Sequence, residues 1–520
     1  METTVSRKME RKSSGGREDD LKECPGLFFI PETTASAFIC IALLGLLVRA
    51  AVSTHPHSGA GMPPKFGDYE AQRHWMEITL NLPPHEWYRN GTNNDLRYWG
   101  LDYPPLSAYQ SYLHGLILQK FLPESVALHS SRGYESYFGK LLMRWTVLLS
   151  DVMIFFPAVL CFVFVKHGYG GKDKRVNIAR HLVILLINPC LILIDHGHFQ
   201  YNCISLGFAI AAVAAVLSDQ DLIGSMLFCL SLNHKQMSAY FAPAFFCHLL
   251  GKSMKTKHPI QRILNLGLVV CGTFTAVWWP YLHSKSDIFQ VLSRLAPFER
   301  GIYEDYVANF WCCTSVLIKW KRIFTIQSLR FGSLAATLLT CLPSMVHQLI
   351  NPSSKGFLYG LLNSALSFYL FSFQVHEKSI LLPLMPATLL ALEWPREYFL
   401  FVHYALFSMF PLVIRDNLII AYVALYAMFY FLFFDSGRRQ IRSITASKVP
   451  IFMMALYFCS LGLHFLYITV KPPLKYPFLF EAMIMLLCFL HFSLFAVYMN
   501  AKQWMLPREA TTKGKRRKRD

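Results

Sequence analysis

The chain has 520 residues, of which 54% are hydrophobic and 16% charged, whereas a soluble domain carries about a quarter charged residues. The formal net charge is +18, but lysine and arginine are concentrated in the two tails and in short connections between long apolar runs. Membrane proteins show this distribution in their cytoplasmic segments. Composition and charge placement therefore predict an all-α polytopic membrane protein and argue against a nucleic-acid-binding protein.

The thirteen cysteines show no CxxC pair and no regular spacing. Most lie in apolar runs, as Cys161, Cys229 and Cys247 do, where cysteine behaves as a small hydrophobic residue. We therefore expect neither a disulfide framework nor a zinc site. Because the residues before the first apolar run are mostly polar, that run is expected to be an uncleaved anchor rather than a signal peptide.

In chain order, a basic tail at 1–32 precedes the first apolar run at 34–52. The mostly polar segment 53–140 follows; it is rich in proline, tryptophan, tyrosine and asparagine and is too long for a simple connection. It contains the N-glycosylation sequon Asn90-Gly91-Thr92. The sequon agrees with a cytosolic amino terminus and a lumenal first loop, so we predict that Asn90 is a glycosylation site.

Later apolar runs approach the roughly 20 residues that a bilayer requires, although several are shorter. They bring the predicted total to about fourteen spans within a transmembrane domain at 33–500, with a second lumenal loop at 283–330 and a cytosolic basic tail at 501–520. The later runs lie at 141–165, 181–195, 203–218, 221–234, 236–250, 263–282, 331–350, 357–373, 380–394, 398–414, 417–434, 449–470 and 478–499.

The apolar stretch 311–323 is short for a span and carries Lys319, Lys321 and Arg322 near its end. If it crossed the membrane, the basic connection 437–448 would lie in the lumen, against the charge rule. We therefore predict that it forms a lumenal interfacial helix. With that assignment, the lumenal loops include 53–140, 195–202, 283–330 and 374–379.

Four polar strings stand out in these loops. They read FGDYEAQRHW at 66–75, YWGLDYPP at 98–105, DHGHFQYN at 195–202 and QVHEKS at 374–379. The last two lie directly at the ends of apolar spans. Ionisable residues are energetically unfavourable at such places, so they are candidates for function.

Taken in this order, the four strings resemble the dolichyl-phosphate-glucose-dependent α-1,3-glucosyltransferases that add the first glucose to the nine-mannose dolichol-linked oligosaccharide in the endoplasmic reticulum. The resemblance covers about residues 40–500. It implies a GT-C glycosyltransferase fold with short amphipathic helices in the lumenal loops. It also implies a dolichyl-phosphate-glucose donor and a dolichyl-diphosphate oligosaccharide acceptor. The family that adds the second glucose is a sister family with a related DYPP segment.

The resemblance places the catalytic base in the first lumenal loop, at Asp68. Transfer to a sugar hydroxyl needs a base to accept the hydroxyl proton, and a positioned carboxylate supplies about 10²–10⁴-fold in rate. A single displacement with inversion needs no second carboxylate as nucleophile. Because Asp68 precedes a polar segment with helical character, it could instead be a helix cap.

A metal site is an alternative use of Asp68 together with Glu70. Two carboxylates at i and i+2 do not share a helix face, although they would share a strand face. The resemblance implies transfer without a metal ion or other cofactor, and we expect none.

The leaving dolichyl phosphate is an anion, which cations and hydrogen-bond donors stabilise. His376 and Lys378 are the first candidates, and Arg300 in the second loop is a further one. Lys378 could instead form an ordinary interfacial ion pair with Glu377.

Three more polar residues are candidates for substrate binding. Asp102 could hold sugar hydroxyls or the loop of Asp68, or it could simply form a turn. His198 and Gln200 could contact donor or acceptor.

Aromatic residues in the same strings offer flat faces on which a pyranose ring could stack. An aromatic belt at the bilayer interface is the alternative explanation for them. The residues concerned are Trp75, Trp99, Tyr103 and Tyr201.

Other functions would leave different patterns. A transporter commonly carries internal repeats and broken spans at corresponding positions, and neither is visible here. A scaffold subunit would not need an acid, a histidine–lysine pair and aromatic residues on one side of the membrane. Within the enzyme class, the alternatives are the second glucosyltransferase and the dolichyl-phosphate-mannose-dependent enzymes.

Overall fold

A computed structural model describes residues 34–168, 172–295, 306–435 and 451–507, and all regular structure within these ranges is helical. Helices suit a chain in lipid because every backbone polar group is satisfied within the segment. The amino-terminal half contains α1 (Thr34–Ser53), α2 (Gly67–Asn81), α3 (Pro105–Phe121), α4 (Tyr137–Ser150), α5 (Phe156–His167), α6 (Lys172–Leu186), α7 (Pro189–Ile192), α8 (Asn202–Leu217), α9 (Asp221–His234), α10 (Ala242–Met254) and α11 (Pro259–Trp278).

The carboxyl-terminal half continues with α12 (Lys285–Leu295), α13 (Phe310–Thr314), α14 (Trp320–Ile323), α15 (Ile326–Ile350), α16 (Ser354–Phe371), α17 (Leu381–Leu389), α18 (Pro395–Ser408), α19 (Phe410–Arg415), α20 (Ile419–Asp435), α21 (Ile451–Thr469) and α22 (Leu479–Trp504). Short 3₁₀ turns form at Pro84–Glu86, Pro123–Val126, Gln236–Phe241, Trp279–Tyr281 and Glu377–Ile380. Two π-helical segments, Asp151–Phe155 and Leu193–Phe199, continue the helices before them.

Within the described residues, six helical stretches are long and apolar enough to cross a membrane. They are Ser36–Ser53, Tyr137–His167, Lys174–Phe199, Pro259–Tyr281, Ile326–Ile350 and Leu479–Trp504. Shorter apolar helices occur at Asn202–Leu217, Ile419–Leu432 and Met454–Thr469. Each apolar run predicted as a span coincides with a helix or with consecutive helices. The prediction of an all-α, polytopic membrane protein is therefore confirmed.

Helix α8 lies in the interior of the bundle and packs against α5 and α9. Its residues Ala209, Ala212 and Val213 are fully buried. Small residues let helix backbones approach closely, which is typical of helix packing in membranes. Helix α11 is the opposite case, because Val277 is its one buried residue and leucine and isoleucine side chains are exposed along it. Such a surface suits contact with lipid.

Helices α2 and α3 pack against each other within the predicted large loop. They share a small hydrophobic core that includes Trp75, Ile78, Leu101 and Ala108, and Tyr281 in the 3₁₀ turn after α11 joins it. This core fixes α2 over one end of the membrane bundle. The position of α2 matters because the helix carries Asp68.

The stretch 311–323 does not form the single interfacial helix expected from sequence. It forms α13 and α14, of five and four residues. The chain folds back between them, so that the Trp320 indole Nε1–H donates to the Thr314 hydroxyl at 2.8 Å. Neither helix approaches the roughly 20 residues needed to cross a bilayer.

At the carboxyl end, α22 runs past residue 500 to Trp504. Gln503 is fully buried, and its side-chain oxygen accepts hydrogen bonds from Ser344 and Asn363. The bundle therefore includes the first residues of the segment assigned to the carboxyl tail. The basic tail at 1–32, the tail beyond residue 507 and Arg300 lie outside the described residues.

Candidate active site

Helix α2 begins in a tight turn that determines the position of Asp68. Phe66 has φ 55° and Gly67 has φ 67°, a left-handed conformation that glycine adopts without strain. A Cβ on Gly67 would lie 2.6 Å from the carbonyl carbon of Ser58, so the two backbones are in direct contact. The Asp68 N–H also donates to Ser58 Oγ at 3.4 Å.

The turn leaves Asp68 in the first turn of α2 rather than at its cap. Phe66 occupies the cap position and makes no side-chain capping bond. The Asp68 side chain instead points toward other segments of the chain. The helix-cap interpretation of Asp68 is therefore wrong.

The Asp68 carboxylate is held on one side and open on the other. Its Oδ2 accepts hydrogen bonds from Lys378 Nζ at 2.7 Å and Gln200 Nε2 at 2.7 Å, and lies 3.0 Å from His198 Nε2. Within the described part of the chain, Oδ1 accepts no hydrogen bond, and the side chain is 25% exposed. One carboxylate oxygen thus remains available to a substrate.

Two opposing effects set the charge of Asp68. Burial by itself raises the pKa of a carboxyl group, because it disfavours the charged form. The charges of Lys378 and His198, and their hydrogen bonds, outweigh burial and hold the pKa of Asp68 well below its ordinary value. Asp68 is therefore ionised at neutral pH, as a base must be before it accepts a proton.

His198 lies between two carboxylates. Its Nε2 faces Asp68, and its Nδ1 lies 2.5 Å from Asp416 Oδ2. The His198 ring is carried by the π-helical segment Leu193–Phe199, and segments of this kind occur frequently at functional sites. Asp416 follows α19 directly and is buried. His198 therefore links Asp68 and Asp416, which are about 350 residues apart in the sequence.

Gln200 connects Asp68 to a second cation. Its side-chain oxygen accepts a hydrogen bond from Lys235 Nζ at 3.1 Å, and Lys235 also donates to Asn202 Oδ1 at 2.6 Å. The Asn202 amide donates in turn to Asp195 Oδ1 at 2.7 Å. Asp195, Gln200 and Asn202 of the string DHGHFQYN therefore form one hydrogen-bonded unit with Lys235 behind Asp68.

A small cleft lies beside this unit. Lys235 Nζ is 5.0 Å from the centre of the Tyr103 ring in its wall. Aromatic faces combined with amide and hydroxyl groups suit a sugar, which presents both apolar and hydrogen-bonding surfaces. The lining residues are Gln72, Tyr103, Ser107, Gln110, Gln200, Tyr201, His234 and Lys235.

Glu70 does not join Asp68 in a metal-binding pair. Its carboxylate accepts hydrogen bonds from Arg73, from the Tyr98 hydroxyl and from the Gly133 N–H. Arg73 also binds Glu77 at 2.8 Å. Among the described residues, no group of three or more histidine, cysteine, aspartate or glutamate side chains is placed to hold a metal ion.

The predicted residues of the string YWGLDYPP lie close to the site. The Asp102 carbonyl accepts a hydrogen bond from Gln236, and Tyr103 lines the cleft. The Trp99 indole N–H donates to the Lys65 carbonyl, which joins the string to the loop before α2.

Two of the four aromatic residues proposed as stacking faces are buried. Trp75 packs inside the small core of α2 and α3 and donates its indole N–H to the Trp99 carbonyl. Tyr201 is 4% exposed and shares a hydrogen bond with Thr146. Trp75 therefore cannot serve as an open stacking face, and Tyr201 contributes at most an edge to the cleft wall.

The 3₁₀ turn Glu377–Ile380 carries Lys378 to Asp68, and His376 precedes that turn directly. Glu377 Oε1 faces Arg415 Nη2 at 3.5 Å. The ordinary ion pair between Lys378 and Glu377 is therefore not formed. In the large loop, Asn90 is exposed, as a glycosylated residue must be.

The ALG6, ALG8 glycosyltransferase family model matches residues 42–498 of the chain. The chain belongs to this family. It is 60% identical over 482 residues to the probable dolichyl pyrophosphate Man9GlcNAc2 alpha-1,3-glucosyltransferase of Arabidopsis thaliana, covering 91% of this chain and 90% of that protein.

More distant relatives carry the same name. The chain is 43% identical over 485 residues to the Man9GlcNAc2 alpha-1,3-glucosyltransferase of Rattus norvegicus, with 88% of this chain and 95% of that protein covered. It is 39% identical over 495 residues to the one of Saccharomyces cerevisiae, with 89% of each covered. The resemblance inferred from the four strings is confirmed, and this member of the ALG6, ALG8 family is a membrane glycosyltransferase.

Sequence reasoning missed two charged residues of the site in this family member, Lys235 and Asp416. Both stand at junctions between apolar runs, where ionisable residues indicate function. The same rule selected His198 and Lys378. Lys235 and Asp416 could not be found in this way because each lies in a connection of only one or two residues, without a distinctive string around it.

Proposed function

We propose that this chain transfers glucose from dolichyl-phosphate-glucose to the terminal mannose of the nine-mannose lipid-linked oligosaccharide. The linkage formed is α-1,3, the anomeric configuration is inverted, and the reaction takes place at the lumenal face of the endoplasmic reticulum membrane. The observation that carries the proposal is the asymmetry of Asp68, whose Oδ2 is bonded to Lys378 and Gln200 while Oδ1 is open. The names of the relatives support the choice of acceptor.

In the proposed reaction, Asp68 Oδ1 accepts the proton of the mannose hydroxyl as that oxygen bonds to the anomeric carbon of glucose. The bond between the anomeric carbon and the phosphate oxygen breaks, and its electron pair leaves with dolichyl phosphate. Because the donor is a monoanion and the leaving phosphate gains a charge, cationic groups nearby favour the transition state.

Lys378 and His376 are the proposed partners of the leaving phosphate. Lys378 Nζ is bound to Asp68 Oδ2, so it already lies next to the reacting atoms. A cation that contacts both the base and the phosphate would keep the acceptor hydroxyl and the donor correctly oriented toward each other. Arg300 stays a candidate from sequence for the same role.

The cleft beside Gln200 is the proposed surface for the sugars. Tyr103 offers a ring face there, and Lys235 and Gln200 offer hydrogen-bonding groups. His198, Asp102 and Trp99 complete the predicted substrate-binding set around it.

Donor and acceptor choice test the proposal directly. Purified protein in detergent is offered dolichyl-phosphate-glucose or dolichyl-phosphate-mannose with the nine-mannose acceptor, and the released glycan is sized. We expect growth by one hexose with the glucose donor alone. Transfer from the mannose donor would contradict the donor assignment. Transfer to an acceptor that already carries one glucose, but not to the unglucosylated acceptor, would indicate the second glucosyltransferase instead.

The side of the membrane that the large loop faces can be tested at Asn90. If the large loop faces the lumen, the expressed protein carries a glycan that a glycosidase removes, and Asn90→Gln shows the same mobility as the deglycosylated protein. A cytosolic tag after Asp520 should be digested by protease in sealed microsomes. Protection of that tag together with an unmodified Asn90 would place the site on the cytosolic side.

A further inference from the structure

Lys235 lies at a break between α9 and the next 3₁₀ turn, where its backbone is extended, with φ −142° and ψ 117°. The residues on both sides of it are bonded to other segments. The His234 carbonyl accepts a hydrogen bond from the Ser107 hydroxyl, and Gln236 Nε2 donates to the Asp102 carbonyl at 3.0 Å. The backbone of Lys235 is therefore fixed to α3 and to the string YWGLDYPP.

The Lys235 ammonium group contacts the side-chain oxygens of two amides. Its Nζ donates to Asn202 Oδ1 at 2.6 Å and to Gln200 Oε1 at 3.1 Å. Because an ammonium group has donors and no acceptor, each amide turns its oxygen toward Lys235 and its nitrogen away from it. The nitrogen of Gln200 then faces Asp68 Oδ2, to which it donates at 2.7 Å.

Asn202 has an anchor of its own on the far side of Lys235. Its Nδ2 donates to Asp195 Oδ1 at 2.7 Å, and the Asp195 carboxylate also accepts the backbone N–H groups of Asn202 and Cys203. Asn202 Nδ2 lies in addition 3.1 Å from Gln200 Oε1. Lys235 and Asn202 thus both donate to the same oxygen of Gln200.

These contacts bear on how Asp68 is held. Lys378 and Gln200 both donate to Asp68 Oδ2, and His198 Nε2 lies 3.0 Å from the same oxygen. Lys378 is attracted to the carboxylate by its charge. Gln200 is neutral, and ordering its long side chain costs conformational entropy, so its position at Asp68 depends on the groups that hold its oxygen.

We infer that Lys235 is a positioning residue, which holds the Gln200 amide so that Asp68 Oδ2 stays bonded and Oδ1 faces the acceptor hydroxyl. This inference rests on the proposed role of Asp68 as the base. Lys235 also lines the cleft, 5.0 Å from the centre of the Tyr103 ring. A contact of Lys235 with a sugar in the cleft would change KM, whereas positioning of Asp68 changes kcat at saturating substrates.

Lys235→Met tests the inference, because methionine has a similar length and donates no hydrogen bond. We expect kcat to fall about 10- to 100-fold, the effect of losing a hydrogen bond to a charged group. Lys235→Arg keeps a cation with several donors, so it should restore most of the lost kcat.

A double-mutant cycle with Gln200 separates positioning from other roles of Lys235. Gln200→Ala removes the side chain through which Lys235 is inferred to act. In the Gln200→Ala background, Lys235→Met should therefore lower kcat by less than about twofold. A double variant in which the two single effects on kcat multiply in full would overturn the inference.

Lys252→Met is the matched control. Lys252 is also a partly buried lysine, at 23% side-chain exposure, and it pairs with Asp221 at 2.8 Å. Its loss should leave kcat unchanged, both in the unmodified protein and in the Gln200→Ala background. If Lys252→Met lowers kcat as far as Lys235→Met does, the effect belongs to the loss of any partly buried lysine and the inference is wrong.

Gln200→Glu provides a second route if Lys235→Met does not fold. Glutamate keeps a side-chain oxygen for the Lys235 ammonium group, but its carboxylate has no N–H to donate to Asp68. We therefore expect kcat to fall at least as far as in Gln200→Ala. Near-normal kcat in Gln200→Glu would contradict the inference, because the contact with Lys235 would then suffice without a donor to Asp68.

The proposed function is judged separately, by whether the unmodified protein transfers glucose at all. If the protein uses a different sugar donor, the proposed function fails, but the comparison of kcat between these variants keeps its meaning.

Discussion

Helix α2 carries two clusters of charged side chains that differ in how completely they are bonded. In the cluster of Glu70, Arg73 and Glu77, all four carboxylate oxygens accept hydrogen bonds from side chains or backbone of the chain itself. The three side chains are at most 1% exposed. Burial alone raises the pKa of Glu77, but His74 and Arg73 lower it to about 2, so the cluster stays charged.

Asp68 precedes these residues on the same helix and is bonded on one oxygen only. Its Oδ2 is held by Lys378 and Gln200, and its Oδ1 is open within the described residues. A buried charge with every partner satisfied fixes a structure, because loss of any member leaves another uncompensated. A charge that keeps one open oxygen can still bind or react. The carboxylates of Glu70 and Glu77 therefore stabilise the fold, whereas the carboxylate of Asp68 is available for chemistry.

Replacing the proposed base should have the largest effect. Asp68→Asn keeps the size of the side chain but cannot accept the hydroxyl proton, so transfer should fall by at least about 10²–10⁴-fold. The amount of folded protein and its melting temperature should change little, because the amide oxygen of asparagine can still accept the hydrogen bonds that Lys378 and Gln200 donate to Oδ2. Near-normal turnover of purified Asp68→Asn protein would remove Asp68 from the role of base.

The structural cluster should respond in the opposite way. Arg73→Met leaves Glu70 and Glu77 buried without their cation, and breaking such a pair destabilises a protein by about 3–5 kcal/mol. We expect a large loss of folded protein and a lower melting temperature, measured by fluorescence in detergent. If Arg73→Met is as stable as the unmodified protein but inactive, the division between the two clusters is wrong.

A smaller effect is expected at Lys378. Lys378→Met removes the nearest cation from Asp68, so the pKa of Asp68 should rise toward its ordinary value. Asp68 is then protonated at higher pH, and the acid limb of the pH–rate profile should move to higher pH. A profile measured with saturating substrates checks this; an acid limb that stays in place would show that Lys378 does not control the ionisation of Asp68.

The smallest effect is expected at the edge of the structural cluster. Tyr98→Phe removes one of the hydrogen bonds to Glu70 Oε1, which is 2.9 Å long, and leaves the bonds from Arg73 intact. A hydrogen bond to a charged group contributes about 1.5–3 kcal/mol, so the melting temperature should fall by a few degrees while kcat stays normal. A strong loss of kcat without a change in stability would indicate that Tyr98 belongs to the site.

Several parts of the site could be found in the sequence because their chemistry is local. Asp68, His198, Gln200 and Lys378 stand in distinctive polar strings, and the structure brings these four residues into direct contact. The partner of His198 could not be found in this way. Asp416 lies about 220 residues from His198, and no spacing rule connects positions that far apart.

The amino-acid sequence was enough to predict an all-α membrane protein and to select the strings that are candidates for chemistry. Apolar length and charge placement act through the bilayer, which imposes the same requirement on every span whatever its neighbours. Three features became visible only in the folded chain: Glu70 turns away from Asp68, Asp416 contacts His198, and one oxygen of Asp68 stays open within the described residues. Those outcomes depend on which helix ends meet, and helix ends meet through packing between segments that are distant in the chain.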